Sequence, residues 1–435
     1  MTKRCMTRRA AILSGLPLAL GLAACGGSQQ EESPEGTGGS FAPSLDTEAA
    51  CKLIIAGTYN NFEALEAVFD DFKTHYPNVD LSYVKLDDYN NVIGTTLEGD
   101  EAPNIYFIWP WMSGKEPYEG VFDAAEDLSD ASLGIDLGCI RDGVLFRLDD
   151  GTVPMVPVFT TTQGMLVNED LFEKEGVAIP TTYEELLAAC QTFAERGYAS
   201  PVMAYMDSVN TYLRMIYGDI AYHVNGNAEA IEQLNALQPE AGEYLRHSME
   251  LLEDFLSHGY LNREACAEIA DDYEAAILRF FEGDVPMMVA TGDLASGTRK
   301  REGLSEAFSA NPFGYSLHPL PITDVGGVFL SLNNICFALN KNGENVDMAN
   351  EFMRFLVRAD TLNEMAEIKR LVTPCKDMGF DDMYASFGEV DEEHTISEQD
   401  LGLTDDVAVQ LRGVTQYVGN GEGSIDEALA KFGTY

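Results

Sequence analysis

Positive charge is what this 435-residue chain has least of: 27 Lys and Arg stand against 72 Asp and Glu, a formal net charge of −45. A surface this acidic repels phosphate backbones and anionic headgroups, which argues against nucleic-acid binding and against charge-driven adsorption to a membrane. Metal and redox motifs are missing too. None of the eight cysteines forms a CxxC pair. His75, His223, His247, His258, His318 and His394 show no ligand spacing, so they read as scattered surface residues with no metal expected. No Gly-x-Ser-x-Gly elbow, no Gly-rich phosphate loop ending in Lys-Ser/Thr and no His-Glu-x-x-His occurs. Carboxylates are too abundant for any glycosidase-like pair to be informative. The chain therefore reads as a non-enzyme that needs no cofactor. The acidic stretch from Asp381 to Glu398 lacks the alternating Asp/Asn-Gly loop of a calcium site and reads as a solvated face.

The N-terminal segment reads as an address. Lys3, Arg4, Arg8 and Arg9 form a basic n-region, and an apolar run from Ala10 to about Ala24 is too short for a stable span. It ends in Leu22-Ala23-Ala24-Cys25, which resembles the lipobox of bacterial lipoprotein precursors. That resemblance implies lipidation of Cys25 and an extracytoplasmic protein anchored to the cell membrane by lipid alone. Thr7-Arg8-Arg9 is similar to a twin-arginine signal, but Ala11 stands where that motif prefers a large apolar residue, so the export route stays open. The Gly/Ser/Glu-rich stretch after Cys25 carries no large apolar side chain and is expected to be a flexible tether. Further on, no apolar run is long enough to cross a bilayer. Export permits disulfides among Cys51, Cys139, Cys190, Cys266, Cys336 and Cys375, but the sequence assigns no pairs; Cys190 and Cys336 lie in apolar patterns suited to a core.

The rest of the chain is large enough for two domains. Lys52-Leu-Ile-Ile-Ala-Gly57 suits a buried strand. Phe62, Leu65, Phe69 and Phe72 then recur at helical spacing until Pro77, and Val79, Leu81 and Tyr83 alternate as a strand. Asn104 to Ile108 reads as another. This βαβ alternation predicts a mostly parallel sheet with covering helices. Helical patterns dominate the middle: Tyr183 to Arg196, Asn210 to Val224, Ala241 to His258 and Glu264 to Phe281. Strands are predicted at Pro201 to Tyr205, Val285 to Ala290, Phe313 to Leu317 and Ile335 to Leu339, and a helix at Asn345 to Val357.

Several stretches, in order along nearly the whole chain, resemble the extracellular solute-binding proteins of ABC transporters, in particular the maltose-binding-protein-like group. The opening strand and helix, ending Phe-Lys-Thr-His-Tyr-Pro-Asn-Val, look like the family's first βαβ unit. Leu97-Glu-Gly-Asp-Glu-Ala-Pro-Asn-Ile-Tyr-Phe-Ile is similar to a family signature in which an Asp usually stands at the position of Asn104. Val156-Pro157 through Phe172, then Pro180 to Leu186, resembles the passage through a hinge strand into the second lobe; Thr181 or Thr182 can cap the helix that follows. Phe281-Glu-Gly-Asp-Val-Pro-Met-Met-Val-Ala-Thr-Gly-Asp resembles a further family stretch, with Asp293 and Leu294 in place of the usual aromatic. Gly421 to Leu429 resembles the start of the closing helix.

The resemblance implies an α/β fold of the periplasmic-binding-protein-like type II: two α/β lobes joined by hinge strands with a ligand cleft between them. The expected divisions are a signal peptide at 1–24, a tether at 25–50, a first lobe from 51–157 plus about 328–374, and a second from about 162–325 plus 376–435. The implied function is capture of a small solute, a carbohydrate, by lobe closure, and delivery to the permease subunits of an ABC importer by a monomeric protein. The alternatives are a non-sugar solute (polyol, glycerol phosphate, polyamine or metal chelate) or a ligand-presenting sensor partner or adhesin.

Ligands in such sheets gather beyond strand ends. The candidates there are Thr58, Tyr59 and Asn60; Trp109 and Trp111, the chain's only tryptophans, as a platform for sugar rings or with one of them plugging the lobe; Thr161 and Gln163 at the hinge; Asp207, Asn210 and Tyr212; and Gly292 and Asp293. Asn333 and Asn334 line the return crossing or form a turn. Maltose binders carry a sugar-contacting Glu at the position of Thr161, and its absence argues against maltose.

Overall fold

The computed structural model describes residues 41–205 and 211–435. The first strand, β1 (Lys52–Gly57), pairs in parallel with β2 (Asp80–Lys85) and with β3 (Ile105–Ile108). The helix Glu63–His75 joins β1 to β2 and buries Leu65, Val68, Phe69 and Phe72, the face set by the helical period. Phe352 and Phe355, on the helix Val346–Leu356, meet Phe72 edge-on at 5.1 and 5.5 Å. Asn104 opens β3 as a buried clasp: its Oδ1 accepts the Ile54 amide at 2.8 Å, and its Nδ2 donates to the Glu344 carbonyl.

β4 (Val156–Thr161) leaves this lobe and β5 (Gln163–Asn168) enters the next. There β5 lies between β7 (Met287–Thr291) and β8 (Tyr315–His318), antiparallel to both, and β6 (Val202–Ala204) adds to β7 in parallel. The chain returns along β9 (Phe329–Leu339), whose first residues pair with β10 (Thr395–Ser397) and whose remainder pairs antiparallel with β4 and β3. A third crossing passes Val372, whose backbone exchanges hydrogen bonds with Thr160 at 2.9 and 3.1 Å. Two separate hydrophobic cores result, one centred on β1, β3 and the Phe-rich helices, the other on β5, β7 and helix Thr211–Val224.

The expected mostly parallel sheet is corrected to two mixed sheets. Strands linked by helices within a lobe do run parallel, but those carrying the chain between lobes arrive from the opposite direction. Other expectations shift for local reasons. Ala241 to His258 is a 3-10 turn, Pro239–Leu245, followed by helix Arg246–Ser257; at Gly242 the backbone comes so close to the Leu429 carbonyl that a Cβ would stand 2.6 Å from it. Glu264 to Phe281 is two helices, Arg263–Glu268 and Tyr273–Phe280, broken at Asp271 (φ +57°) and restarted by Asp272, whose carboxylate accepts the Ala275 amide. Thr182, not Thr181, caps helix Tyr183–Glu195 and forms a capping box with Glu185. The acidic 381–398 stretch is not merely a solvated face: Met383, Tyr384, Phe387 and Ile396 are buried between its acids. Nor are all the histidines scattered, since the rings of His223 and His247 meet at 4.6 Å.

Candidate functional site

Where β3 ends, Trp109 stays extended and Pro110 starts a single 3-10 turn, Pro110–Met112, pinned by buried Met112. The turn brings Trp111 over Trp109 with ring centroids 6.3 Å apart and planes 23° from parallel. Trp109 packs edge-on against Tyr89 and Phe107, while Trp111 is 37% exposed and has the Lys115 ammonium 4.8 Å from its ring centre. One indole thus anchors the loop and the other offers a face. Tyr59, just past β1, packs edge-on against Phe62, and its amide donates to the Tyr83 hydroxyl at 2.8 Å.

The polar side of the site is built on the return strand. Asn334 stands in β9, where its carbonyl accepts the Trp109 indole N–H at 2.6 Å. Its Oδ1 accepts from the Tyr59 hydroxyl at 3.3 Å and its Nδ2 donates to Asp293 Oδ1 at 2.5 Å. Asp293 lies in the first turn of the helix Gly292–Thr298, and its carbonyl accepts the Tyr273 hydroxyl at 2.7 Å. One amide therefore links aromatic side chains of the first lobe to a carboxylate of the second. Lys369 holds its ammonium 4.5 Å from the Tyr59 ring centre and 3.9 Å from Glu63. Lys300, from the second lobe, also pairs with Glu63, and Lys115 pairs with Asp405 across the same gap, so the lobes are in contact.

Burial raises the Asp293 carboxyl above the usual carboxylate range, opposed by the Asn334 amide and the positive charges of Arg214 and Lys369. Burial lowers the Lys369 ammonium, and Glu63 opposes it. Thr161 Oγ1 and Gln163 Oε1 are buried beside the crossing without a hydrogen-bond partner. Gly292 is required by close approach: its N–H donates to the Thr162 carbonyl at 2.8 Å, and a Cβ there would stand 2.4 Å from Thr161 Oγ1.

Aromatic faces, unsatisfied hydroxyl and amide oxygens and a carboxylate, gathered where three segments cross between two α/β lobes, are the architecture of a solute-capturing cleft. The profile of the bacterial extracellular solute-binding protein family matches residues 67–389, most of the chain. The chain belongs to the bacterial extracellular solute-binding proteins. Among solved structures, the apo form of RafE from Streptococcus pneumoniae superposes with a TM-score of 0.67 at 17% identity, covering 89% of this chain and 98% of that one. RafE in complex with raffinose gives 0.65 at 16%, covering 88% and 98%. The GacH receptor of Streptomyces glaucescens, described unliganded and with acarbose, gives 0.65 at 18%, covering 89% and 97%. At these identities the likeness is one of fold. No curated protein sequence matches the chain.

Within this solute-binding protein the candidate residues do not all converge. Tyr59, Trp109, Trp111, Thr161, Gln163, Gly292 and Asp293 lie around the crossing; Thr58 is half-buried and Asn60 exposed on the loop after β1. Tyr212 is corrected to a core residue of the second lobe: it is 6% exposed, packs on Gly419 and has the Arg263 guanidinium 5.7 Å above its ring. Asp207, Asn210 and the proposed lipid site Cys25 lie outside the described residues. Asn333 donates through Nδ2 to the Val144 carbonyl at 3.1 Å, while its buried Oδ1 has no hydrogen-bond partner. Lys369, Glu63, Arg214 and Tyr273 were not singled out from the sequence. For Lys369 and Arg214 the one available signal was scarcity, since a chain so poor in Lys and Arg leaves few to place in apolar surroundings; Glu63 and Tyr273, among 72 acids and 19 tyrosines, carried none. No helix among the described residues is long and apolar enough to cross a membrane.

Proposed function

We propose that this protein captures a carbohydrate between its two lobes and delivers it to the permease subunits of an ABC importer, acting outside the cytoplasm on a lipid anchor at Cys25, and not as an enzyme. The observation that carries the reading is the Trp109–Trp111–Tyr59 surface joined through Asn334 to Asp293. Aromatic faces cover the C–H faces of sugar rings, and planar amides and carboxylates satisfy hydroxyls. The raffinose and acarbose complexes of proteins with this fold support the same choice. Closure follows if the solute touches both lobes, because it then stabilises the closed state by its differential affinity. The division into a first lobe of 51–157 with about 328–374, and a second of about 162–325 with 376–435, is part of the proposal.

The test is a thermal-shift panel of oligosaccharides, polyols, polyamines and phosphorylated glycerols, followed by X-ray scattering with the hit. A solute at about a hundredfold excess over its dissociation constant adds roughly 2.7 kcal/mol to stability. A sugar hit that compacts the protein sustains the proposal; silence across sugars with a hit elsewhere replaces the substrate. One observation favours a second reading. Lys369 is a half-buried ammonium at the cleft of a chain with net charge −45, and it would suit an anionic solute such as a glycerol phosphate.

A further inference from the structure

Helix Thr211–Val224 carries Asp219 and His223 one turn apart on the same face. His247, in the first turn of helix Arg246–Ser257, and Asp324, in the connection before β9, close on that face from two other segments. One ligand atom from each of the four residues lies within 4.8 Å of all the others. His223 Nε2 stands 3.5 Å from Asp219 Oδ1 and 3.6 Å from Asp324 Oδ1; His247 Nε2 stands 3.9 Å from Asp219 Oδ1 and 3.8 Å from Asp324 Oδ2.

These separations are too long for N–H···O hydrogen bonds, which cluster near 2.9 Å. They sit instead close to the spacing of co-ligands: four donors at about 2.0–2.1 Å from a tetrahedral ion stand roughly 3.3 Å from one another. The bonding pattern agrees. Asp219 is 0% exposed, and its Oδ2 accepts the Ser248 hydroxyl at 2.7 Å. Its Oδ1, turned toward the histidines, makes no hydrogen bond, and neither does the buried His223 Nε2. A buried carboxylate oxygen left open while its twin is held by a hydroxyl is the arrangement that orients a metal ligand.

We propose that Asp219, His223, His247 and Asp324 form a binding site for one divalent transition-metal ion of the zinc class. Two imidazoles and two carboxylates suit zinc and its first-row neighbours; calcium and magnesium take all-oxygen shells. The dication neutralises two carboxylates that otherwise face each other, one of them fully buried. Burial, and after it Asp324, raise the Asp219 carboxyl, while Ser248 and the two histidines oppose them. The ion ties the segment entering β9 to two helices of the second lobe. A turn in which the Val325 amide donates to Thr323 Oγ1 at 3.1 Å presents Asp324 for that contact. None of the four residues belongs to the proposed sugar site, and the proposal does not depend on the transport reading.

The experiment uses the tag-free full chain, stripped with a chelator and titrated with Zn2+ by calorimetry and with Co2+ by visible absorption, in physiological salt. One equivalent binds, Co2+ gives the intense visible bands of a tetrahedral site, and Zn2+ raises the melting temperature. His247→Gln and Asp324→Asn change exposed positions, so they fold, and each abolishes the stoichiometric uptake and the stabilisation. Ser248→Ala, which removes only the orienting bond, weakens binding by about 10–100-fold. Weak uptake at many sites, as an acidic surface alone would give, or one-to-one uptake undisturbed by both His247→Gln and Asp324→Asn, overturns the proposal and leaves the four residues as an ion-pair network.

Discussion

The Asn334 amide donates to the Asp293 carboxylate at 2.5 Å, joining the return strand to the first turn of a second-lobe helix. The same side chain accepts from Tyr59 of the first lobe, so both lobes report to one amide. Asn334→Asp places a carboxylate against Asp293 and pushes the lobes apart. A hydrogen bond to a charged group is worth about 1.5–3 kcal/mol, so solute affinity falls roughly 10–100-fold, read by calorimetry with the best carbohydrate. Scattering of the variant shows a larger radius of gyration at saturating solute than the parent protein.

Both tryptophans stand in one turn at the cleft, and they are the chain's only two, so tryptophan fluorescence reports on this site and no other. Solute binding shifts or quenches the emission, and the response disappears in Trp111→Phe, whose indole is the exposed one. Trp109→Phe keeps part of the response but loses stability, because the indole N–H bond to the Asn334 carbonyl goes with it. An emission spectrum unmoved by a solute that calorimetry shows to bind would place the cleft elsewhere.

Glu351 is 1% exposed yet ionised: it accepts from the Ser44 amide and hydroxyl, the Tyr76 hydroxyl and the Arg354 guanidinium. Burial by itself would raise its carboxyl, but those bonds win and hold it at about 2, against an ordinary 4.5. A carboxyl depressed on folding stabilises fully above its unfolded value and loses that contribution as pH falls toward the folded one. About 3 kcal/mol is therefore lost between roughly pH 4.5 and pH 2. Urea midpoints measured across that window drop less steeply in Glu351→Gln than in the parent, and the variant is already less stable at pH 7.

Cys139 and Cys375 are neighbours: the Lys376 amide donates to the Cys139 carbonyl at 2.8 Å, and Ile140 pairs with Cys375 in an antiparallel bridge. The neighbouring Cys139 thiol lowers the Cys375 thiol, helped by Thr373 and Arg141 and opposed by burial. Cys375 is thus the thiolate that attacks first. Treatment with diamide, which takes up the two hydrogens as it becomes a hydrazine, joins this pair in a disulfide. Peptide mapping finds the crosslink, and Cys139→Ser loses it while Cys190 and Cys336, buried without thiol partners, remain reduced.

The fold was legible where hydrophobic period settles burial. Leu65, Phe69 and Phe72 could only face one sheet, and Ile105 to Ile108 could only lie inside one. Strand direction was not legible, because β5 and β9 take theirs from the route of the chain between lobes, which local sequence does not encode. In the site, Trp109 and Trp111 stood out by rarity and by following a strand. Tyr212 misled because its aromatic ring fits a core as well as a cleft, and its packing on Gly419, 207 positions away, is a tertiary contact. His223 and His247 give no sequence signal for the same reason: they lie on different helices and meet only when those helices pack.

The pairing of β4 with β9 carries two slips, one between Pro157 and Phe159 and one between Phe159 and Thr160. A ladder without slips would bend evenly along its length; this one has its compliance concentrated between Pro157 and Thr160, beside Thr161 and Asn334. The ribbon is a leaf spring notched at the cleft, so its rest angle is written in backbone register and not in a loose loop. Under the lobe closure proposed above, side chains around a solute can change without altering the hinge, because its angle is held by backbone pairing.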